Sequence, residues 1–160
     1  MTNTVYIMVG LPGIGKSSFS KGKFRISSDD YIENAAKEAS LTYDQIFKDA
    51  AKDADKWAKA QYEEALYRKE AEIYIDRTNM NEKSRAYWIS RASKAQHYKI
   101  VCINFLSPST KEETENLLKR SKRPGKTIPE FVFTNMMNSY KKPTLAEGFD
   151  EIIEIPFRMF

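Results

Sequence analysis

The stretch from Val5 to Ser18, VYIMVGLPGIGKSS, constrains this chain more than any other. Val5, Ile7 and Val9 form an apolar, β-rich run that predicts one buried strand of a parallel sheet. Gly10-Leu11-Pro12-Gly13-Ile14-Gly15-Lys16-Ser17 follows and fits G-x-x-x-x-G-K-[ST] at every fixed position. The spacing has a physical cause. Gly10, Gly13 and Gly15 let the backbone curl until successive N–H groups converge on phosphate oxygens. A helix starting at Lys16 brings the positive end of its dipole to the same place. Lys16 can then reach the β- and γ-phosphates, and the Ser17 hydroxyl can ligate Mg²⁺. Leu11, Pro12, Gly13, Ile14, Gly15, Lys16, Ser17 and Ser18 are the expected contacts to a nucleoside triphosphate.

At 160 residues the chain is expected to form one domain with a real core. Its 41% hydrophobic and 30% charged residues are ordinary for a globular protein. No apolar run approaches membrane-spanning length, and the first strand is reached without a cationic and then apolar leader. The single cysteine, Cys102, sits in an apolar run and reads as a core residue, and the single histidine, His97, excludes a Cys/His zinc cluster. No membrane association and a reducing, cytoplasmic setting are the expectations.

Net charge is +4, unevenly spread. Residues 29–72 carry 12 acids and 7 bases, a balance of −5, which leaves +9 for the rest. The stretches 16–25, 83–99 and 119–126 contain no acid. Charge runs are usually solvated faces. Around a phosphate site they equally suit a polyanionic substrate.

The remaining chain alternates strands and helices. Gly22 should end the first helix early, and Phe24 to Ser27 alternates as a short second strand. Asp29 and Asp30 stand at its carboxyl end, where ligands of open α/β sheets bind. One of the two is expected to cap a helix and the other to be available for chemistry. Residues 31–70 read as helical, with a Thr42/Gln45 capping box. Beyond it Tyr43, Phe47, Ala50, Ala54, Trp57, Ala58, Gln61, Ala65 and Leu66 form a stripe expected to face the core. Ile73 to Ile75 is the next buried strand, ending at Asp76, and resembles the second acidic element of P-loop enzymes, which orients Mg²⁺ or a catalytic arginine. Arg77, Thr78 and Asn79 follow, and Asn81 reads as the N-cap of a basic, aromatic helix through Trp88 and Arg91. Lys99 to Phe105 gives a fourth strand, and Ser109 with Glu112 a further capping box. Residues 119–126 hold five cations, with Pro124-Gly125 breaking the preceding helix. Pro129 restarts a helix, and Glu151 to Ile155 is a fifth strand. The sum is a parallel sheet with helices on both faces.

Laid out in this order, the motifs resemble those of polynucleotide 5′-hydroxyl kinases, both the bacteriophage enzymes and the kinase half of eukaryotic polynucleotide kinase–phosphatases. The resemblance rests on GLPGIGKS, on Asp29-Asp30-Tyr31, on IDRTN from Ile75 to Asn79, on RSKRPGKTIP from Arg120 to Pro129 and on PTLAEGFDEI from Pro143 to Ile152. It thins over the acidic segment 31–70. The resemblance implies a P-loop kinase with sheet order 2-3-1-4-5, a lid at about 119–128, ATP with Mg²⁺, and a DNA or RNA end as acceptor, in the host cytoplasm if phage-encoded. It further implies Asp29 as the general base, Lys16 as the γ-phosphate clamp, Arg123 on the transferred phosphate with Arg120 assisting, and Asp76, Thr78 and Asn79 near the acceptor. Asp76 would meet the metal through water. The acid-free stretch 83–99, with Arg85 foremost, is a candidate acceptor contact.

Two positions depart from the family pattern: Ser28 stands where an arginine usually precedes the catalytic Asp, and Ile32 where phage members hold the acceptor strand with an arginine. Few acceptor phosphate contacts are therefore expected. A small-molecule kinase of the same fold and an NTP-gated binding module are the alternative readings.

Overall fold

The computed structural model describes residues 2–159. Five strands, β1 (Asn3–Val9), β2 (Arg25–Ile26), β3 (Glu72–Ile75), β4 (Tyr98–Phe105) and β5 (Glu151–Ile155), form one sheet of order β2-β3-β1-β4-β5. Every neighbouring pair is parallel. This is the P-loop kinase arrangement that the motif order implied.

The alternation of side chains along the strands divides the core in two. Val5, Ile7 and Val9, with Ile73, Ile75, Ile100 and Cys102, face α3 (Tyr43–Tyr67) and α4 (Glu82–Ala95). Met8, Tyr74, Val101, Ile103 and Phe105 point the other way, toward Leu117 of α5 (Lys111–Arg120) and Phe133 of α6 (Glu130–Ser139). Burial on both faces explains why β1 and β4 read as nearly continuous apolar runs.

Two boundaries differ from the sequence expectation. The single helical stretch over 31–70 is two helices, α2 (Ser28–Glu38) and α3, separated by a turn in which Ser40 adopts φ +56°. Ile32 joins Ala50 and Ala54 to pack the two against each other. The Thr42/Gln45 capping box opens α3 as expected. The second box shifts by one residue: Thr110 accepts from Glu113 N at 3.1 Å, and the Glu113 carboxylate accepts from Ser109 N at 2.9 Å. Thr110 is the last extended residue before the helix, so it is the cap, and Glu113 is the acid one turn in. The first helix, α1 (Lys16–Phe19), is a single turn, so little macrodipole accumulates there.

The carboxyl ends of β1, β2 and β3 lie side by side, which brings the glycine-rich loop, Asp29 and Asp76 to one edge of the sheet. Two bonds tie the exits of β1 and β3 together: Gly10 N donates to Thr78 O at 2.9 Å, and Asn79 Nδ2 to Met8 O at 2.9 Å.

Candidate active site

The loop after β1 is shaped by its glycines. Gly13 sits at φ +76°, and a Cβ there would stand 2.2 Å from Ser121 Oγ, so the loop lies directly against the end of α5. Gly15 adopts φ +121°, a conformation that L side chains rarely take. The Lys16 ammonium folds back across the cradle and donates to Gly10 O and Leu11 O, each at 2.7 Å. Burial pushes its pKa down to about 8, against the opposing pull of Asp76 and Asp29.

Ser17 Oγ donates to Asp76 Oδ2 at 2.9 Å. A hydroxyl and one carboxylate beside a phosphate cradle suit Mg²⁺, which keeps several waters and takes its other ligands from phosphates. Among the described residues no group of three or more His, Cys, Asp or Glu could hold a metal by itself. The chain thus fits a metal that arrives with its nucleotide.

A cavity of about 800 Å³ joins this cradle to the carboxyl end of β2. Asp29, in the first turn of α2, is half-exposed within it, at 54%. Its Oδ1 accepts from the Tyr43 hydroxyl at 2.6 Å, and its Oδ2 faces Lys126 Nζ at 3.4 Å. Burial, then the bond to Asp29, raises the Tyr43 pKa far above its ordinary value, so the phenol stays a donor. Asp30 is committed elsewhere, to Arg25 through two bonds of 2.9 and 3.1 Å. The two carboxylates that the sequence left open are thereby separated: Asp29 is shared between a phenol and Lys126 at the cavity wall and Asp30 is paired with a guanidinium, while neither is the expected cap, since the N-cap of α2 is Ser27.

The segment after α5 is fastened to the first turn of α3. Gly125 O accepts from Asp44 N at 2.9 Å, and Thr127 N donates to both Asp44 carboxylate oxygens, at 2.8 and 3.0 Å. Lys126 lies over the Tyr43 ring, 4.5 Å from its centroid, and also reaches Glu33 at 3.4 Å. Arg123 is exposed and lines the cavity.

The remaining expected site residues divide. Pro12, Gly13, Gly15, Lys16, Ser17, Ser18, Asp76 and Thr78 line the cavity. Leu11 and Ile14 do not; their side chains belong to the core beneath the loop. Asn79 is buried at φ +47° and serves the backbone of β1. Arg120 requires correction. It turns away from the cavity, donating to Gly13 O at 3.0 Å, Ile14 O at 3.4 Å and Arg158 O, and stacks over Phe157. It supports the loop from behind. Arg85 requires a larger one: it is fully buried, with bonds of 2.8 and 3.0 Å to the Glu147 carboxylate and 2.9 Å to Asn79 O. A guanidinium so enclosed cannot meet an acceptor. Arg91, on the same helix, pairs with Glu63 and lies over Tyr87. The acid-free stretch 83–99 contributes nothing to the cavity lining.

Sequence reading passed over Tyr43, Asp44 and Phe47 as site residues. The signal available was position alone, because all three lie within two turns of the capping box that opens α3, next to Asp29 once α2 and α3 pack together.

Comparison with known proteins agrees with the fold. The chain is 27% identical over 154 residues to the bifunctional polynucleotide phosphatase/kinase of Schizosaccharomyces pombe, covering 96% of this chain and 34% of that protein. It is 25% identical over 150 residues to the L-seryl-tRNA(Sec) kinase of Methanococcus maripaludis, covering 90% and 55% respectively. The chain thus spans about a third and about half the length of these two relatives. A kinase-designated protein from Chloroflexus aurantiacus j-10-fl shares the fold, with TM-score 0.69 at 12% identity over 98% of this chain and 89% of that one. Residues 5–143 match the AAA_33 family model, described as an AAA domain, and the chain, whose fold is that of P-loop kinases, belongs to that family.

Proposed function

We propose that the protein transfers the γ-phosphate of ATP to the 5′-hydroxyl end of DNA or RNA. The observation that carries this reading is the single cavity holding Lys16 and Ser17 at one end and Asp29 at the other. The resemblance to a polynucleotide phosphatase/kinase over 96% of the chain supports the acceptor class. Asp29 accepts the proton of the acceptor hydroxyl as its oxygen bonds to the γ-phosphorus and the β–γ bridging bond breaks, releasing ADP. Tyr43 fixes one oxygen of that carboxylate, and the other, which faces Lys126 at 3.4 Å in the nucleotide-free protein, turns to the incoming hydroxyl. Lys16 leaves the Gly10 and Leu11 carbonyls for the phosphates, where its charge counters the one developing in the transition state. Arg123 sits on the segment that covers the cavity and meets the same charge. Mg²⁺ held by Ser17, and by Asp76 through water, would neutralise the β- and γ-phosphate oxygens.

A compact hydroxyl acceptor is the second reading, favoured by the acid-rich wall of Asp29, Asp30, Glu33 and Asp44. The test is transfer of labelled γ-phosphate to a panel of 5′-hydroxyl oligonucleotides, nucleosides, nucleotides and small hydroxyl compounds. Oligonucleotides should be the best acceptors. A nucleoside or sugar performing equally well would replace the polynucleotide reading and leave the kinase standing.

A further inference from the structure

We propose that Phe47, backed by Tyr43, is the wall on which the 5′-terminal base of the acceptor stacks, an inference that rests on a nucleic-acid end being the acceptor. Phe47 belongs to the apolar stripe of α3, yet where that stripe continues through Ala50 and Ala54 it is buried, while Phe47 is 46% exposed. It is one of the residues that line the cavity. Its ring lies 5.6 Å from that of Tyr43, centroid to centroid, with the planes tilted by 34°. Among the described residues lining the cavity, these two are the aromatic ones.

The other exposed or accessible rings do not compete. Trp88 is 2% exposed, and Tyr31 packs on Trp57 outside the cavity. Phe19 leans on Tyr74 and Phe105 and does not line it.

Placement gives the argument its direction. Asp29, Tyr43 and Phe47 follow one another, the first two joined by a hydrogen bond and the last two by ring contact. In a 5′-nucleotide end the base stands one sugar ring beyond the reacting hydroxyl. With that hydroxyl at Asp29, the base falls in the region of Phe47. Charge points the same way. At this end Arg25 is paired with Asp30 and Lys126 with Asp29 and Glu33, so these cations are already partnered by acids, and Ile32, in place of a phage-type arginine, is buried at 2% exposure. An uncharged contact therefore adds affinity near the reacting end, and stacking on a ring supplies one that tolerates any base.

The test uses the full chain as wild type, Phe47→Ala and Phe47→Trp, with a 5′-hydroxyl oligonucleotide carrying either a normal or an abasic 5′-terminal residue. Removing the base should cost wild type about tenfold in kcat/KM for the acceptor. Phe47→Ala should suffer the same loss with the normal end, little further loss with the abasic end, and an unchanged KM for ATP. Phe47→Trp, after subtraction of the wild-type Trp57 and Trp88 signal, should show fluorescence quenched by the normal oligonucleotide in the presence of a non-hydrolysable ATP analogue. A base-removal penalty that persists in Phe47→Ala, or turnover without quenching, overturns the stacking wall and leaves the kinase reading intact. Quenching without phosphorylation supports the wall and removes the 5′-kinase reading; neither signal removes both.

Discussion

The Tyr43 hydroxyl donates to Asp29 Oδ1 across 2.6 Å and so joins the first turn of α3 to the first turn of α2. Asp29 is half-exposed, and a carboxylate in that setting would sample several rotamers without such a tether. Tyr43→Phe removes the donor and keeps the ring. It should lower kcat by about tenfold with KM for ATP unchanged, since positional errors at a base act on the chemical step. A rise in KM for ATP with kcat preserved would mean that Tyr43 serves the nucleotide instead.

Asp29→Asn should lower kcat by about 10²-fold or more, the cost of losing a general base. Asp30→Asn should be much milder, because both Asp30 carboxylate oxygens are committed to Arg25. Steady-state kinetics of the two variants side by side decide the assignment, and the reverse ranking would exchange the carboxylates.

The pH dependence of nucleotide binding follows from Lys16, whose pKa burial lowers to about 8 in the nucleotide-free protein. Above that pH the amine is neutral and must regain a proton to meet phosphate, so ATP affinity should fall by about tenfold per unit from pH 8 upward. The stability of the nucleotide-free fold should move the opposite way. From about pH 8 to 10.5 the unfolded chain binds more protons at this group than the folded one, and stability rises with pH. Calorimetric titration with ATP across pH 7–10 checks the first statement, and Lys16→Met should give weak, pH-independent binding.

The two lid-side arginines should separate kinetically. Arg123 is exposed at the cavity and should contribute once charge develops on the γ-phosphoryl, so Arg123→Ala should lower kcat by up to about 10³-fold. Arg120 holds the carbonyls of Gly13 and Ile14, so Arg120→Ala should loosen the cradle and raise KM for ATP more than it lowers kcat. Equal kcat losses in the two variants would restore Arg120 to the chemistry.

What could be read in advance was whatever is local to a strand end. Gly10 to Ser17 and Asp76 follow apolar runs directly, Asp29 stands three residues past the short strand β2, and a parallel sheet gathers its carboxyl ends whatever fills the rest. Strand order came with the motif resemblance. The failures share a cause: they depend on partners distant in sequence. The acid that neutralises Arg85 is 62 residues downstream, and two of the carbonyls that hold Arg120, those of Gly13 and Ile14, lie more than a hundred residues upstream. Phe47 failed differently. Its helical period was right, but period alone does not tell where a stripe leaves the core and begins to line a cavity.

Arg85 yields the last prediction because its burial reverses an expectation about salt. Glu147, Arg85, Asn79 and the Met8 carbonyl form one bonded chain from the 3₁₀ turn at Leu145–Glu147 to the end of β1, just beneath the glycine-rich loop. The Arg85 side chain is 0% and that of Glu147 9% exposed, so truncating either leaves a charge stranded in the interior. Arg85→Ala should therefore destabilise the fold by about 3–5 kcal/mol, a large part of a typical domain's stability. Arg85→Met combined with Glu147→Gln should recover much of that loss, since no charge is then left unpaired. The same pair of substitutions should leave the salt dependence of acceptor binding untouched. Lys126→Ala and Arg123→Ala should flatten it, each by about 0.7 log units per log of salt if it meets one single-strand phosphate. Thermal melts and acceptor titrations at several salt concentrations separate the two roles. A flattened salt slope in the Arg85 and Glu147 double variant, with its melting point restored, would return Arg85 to the nucleic-acid surface.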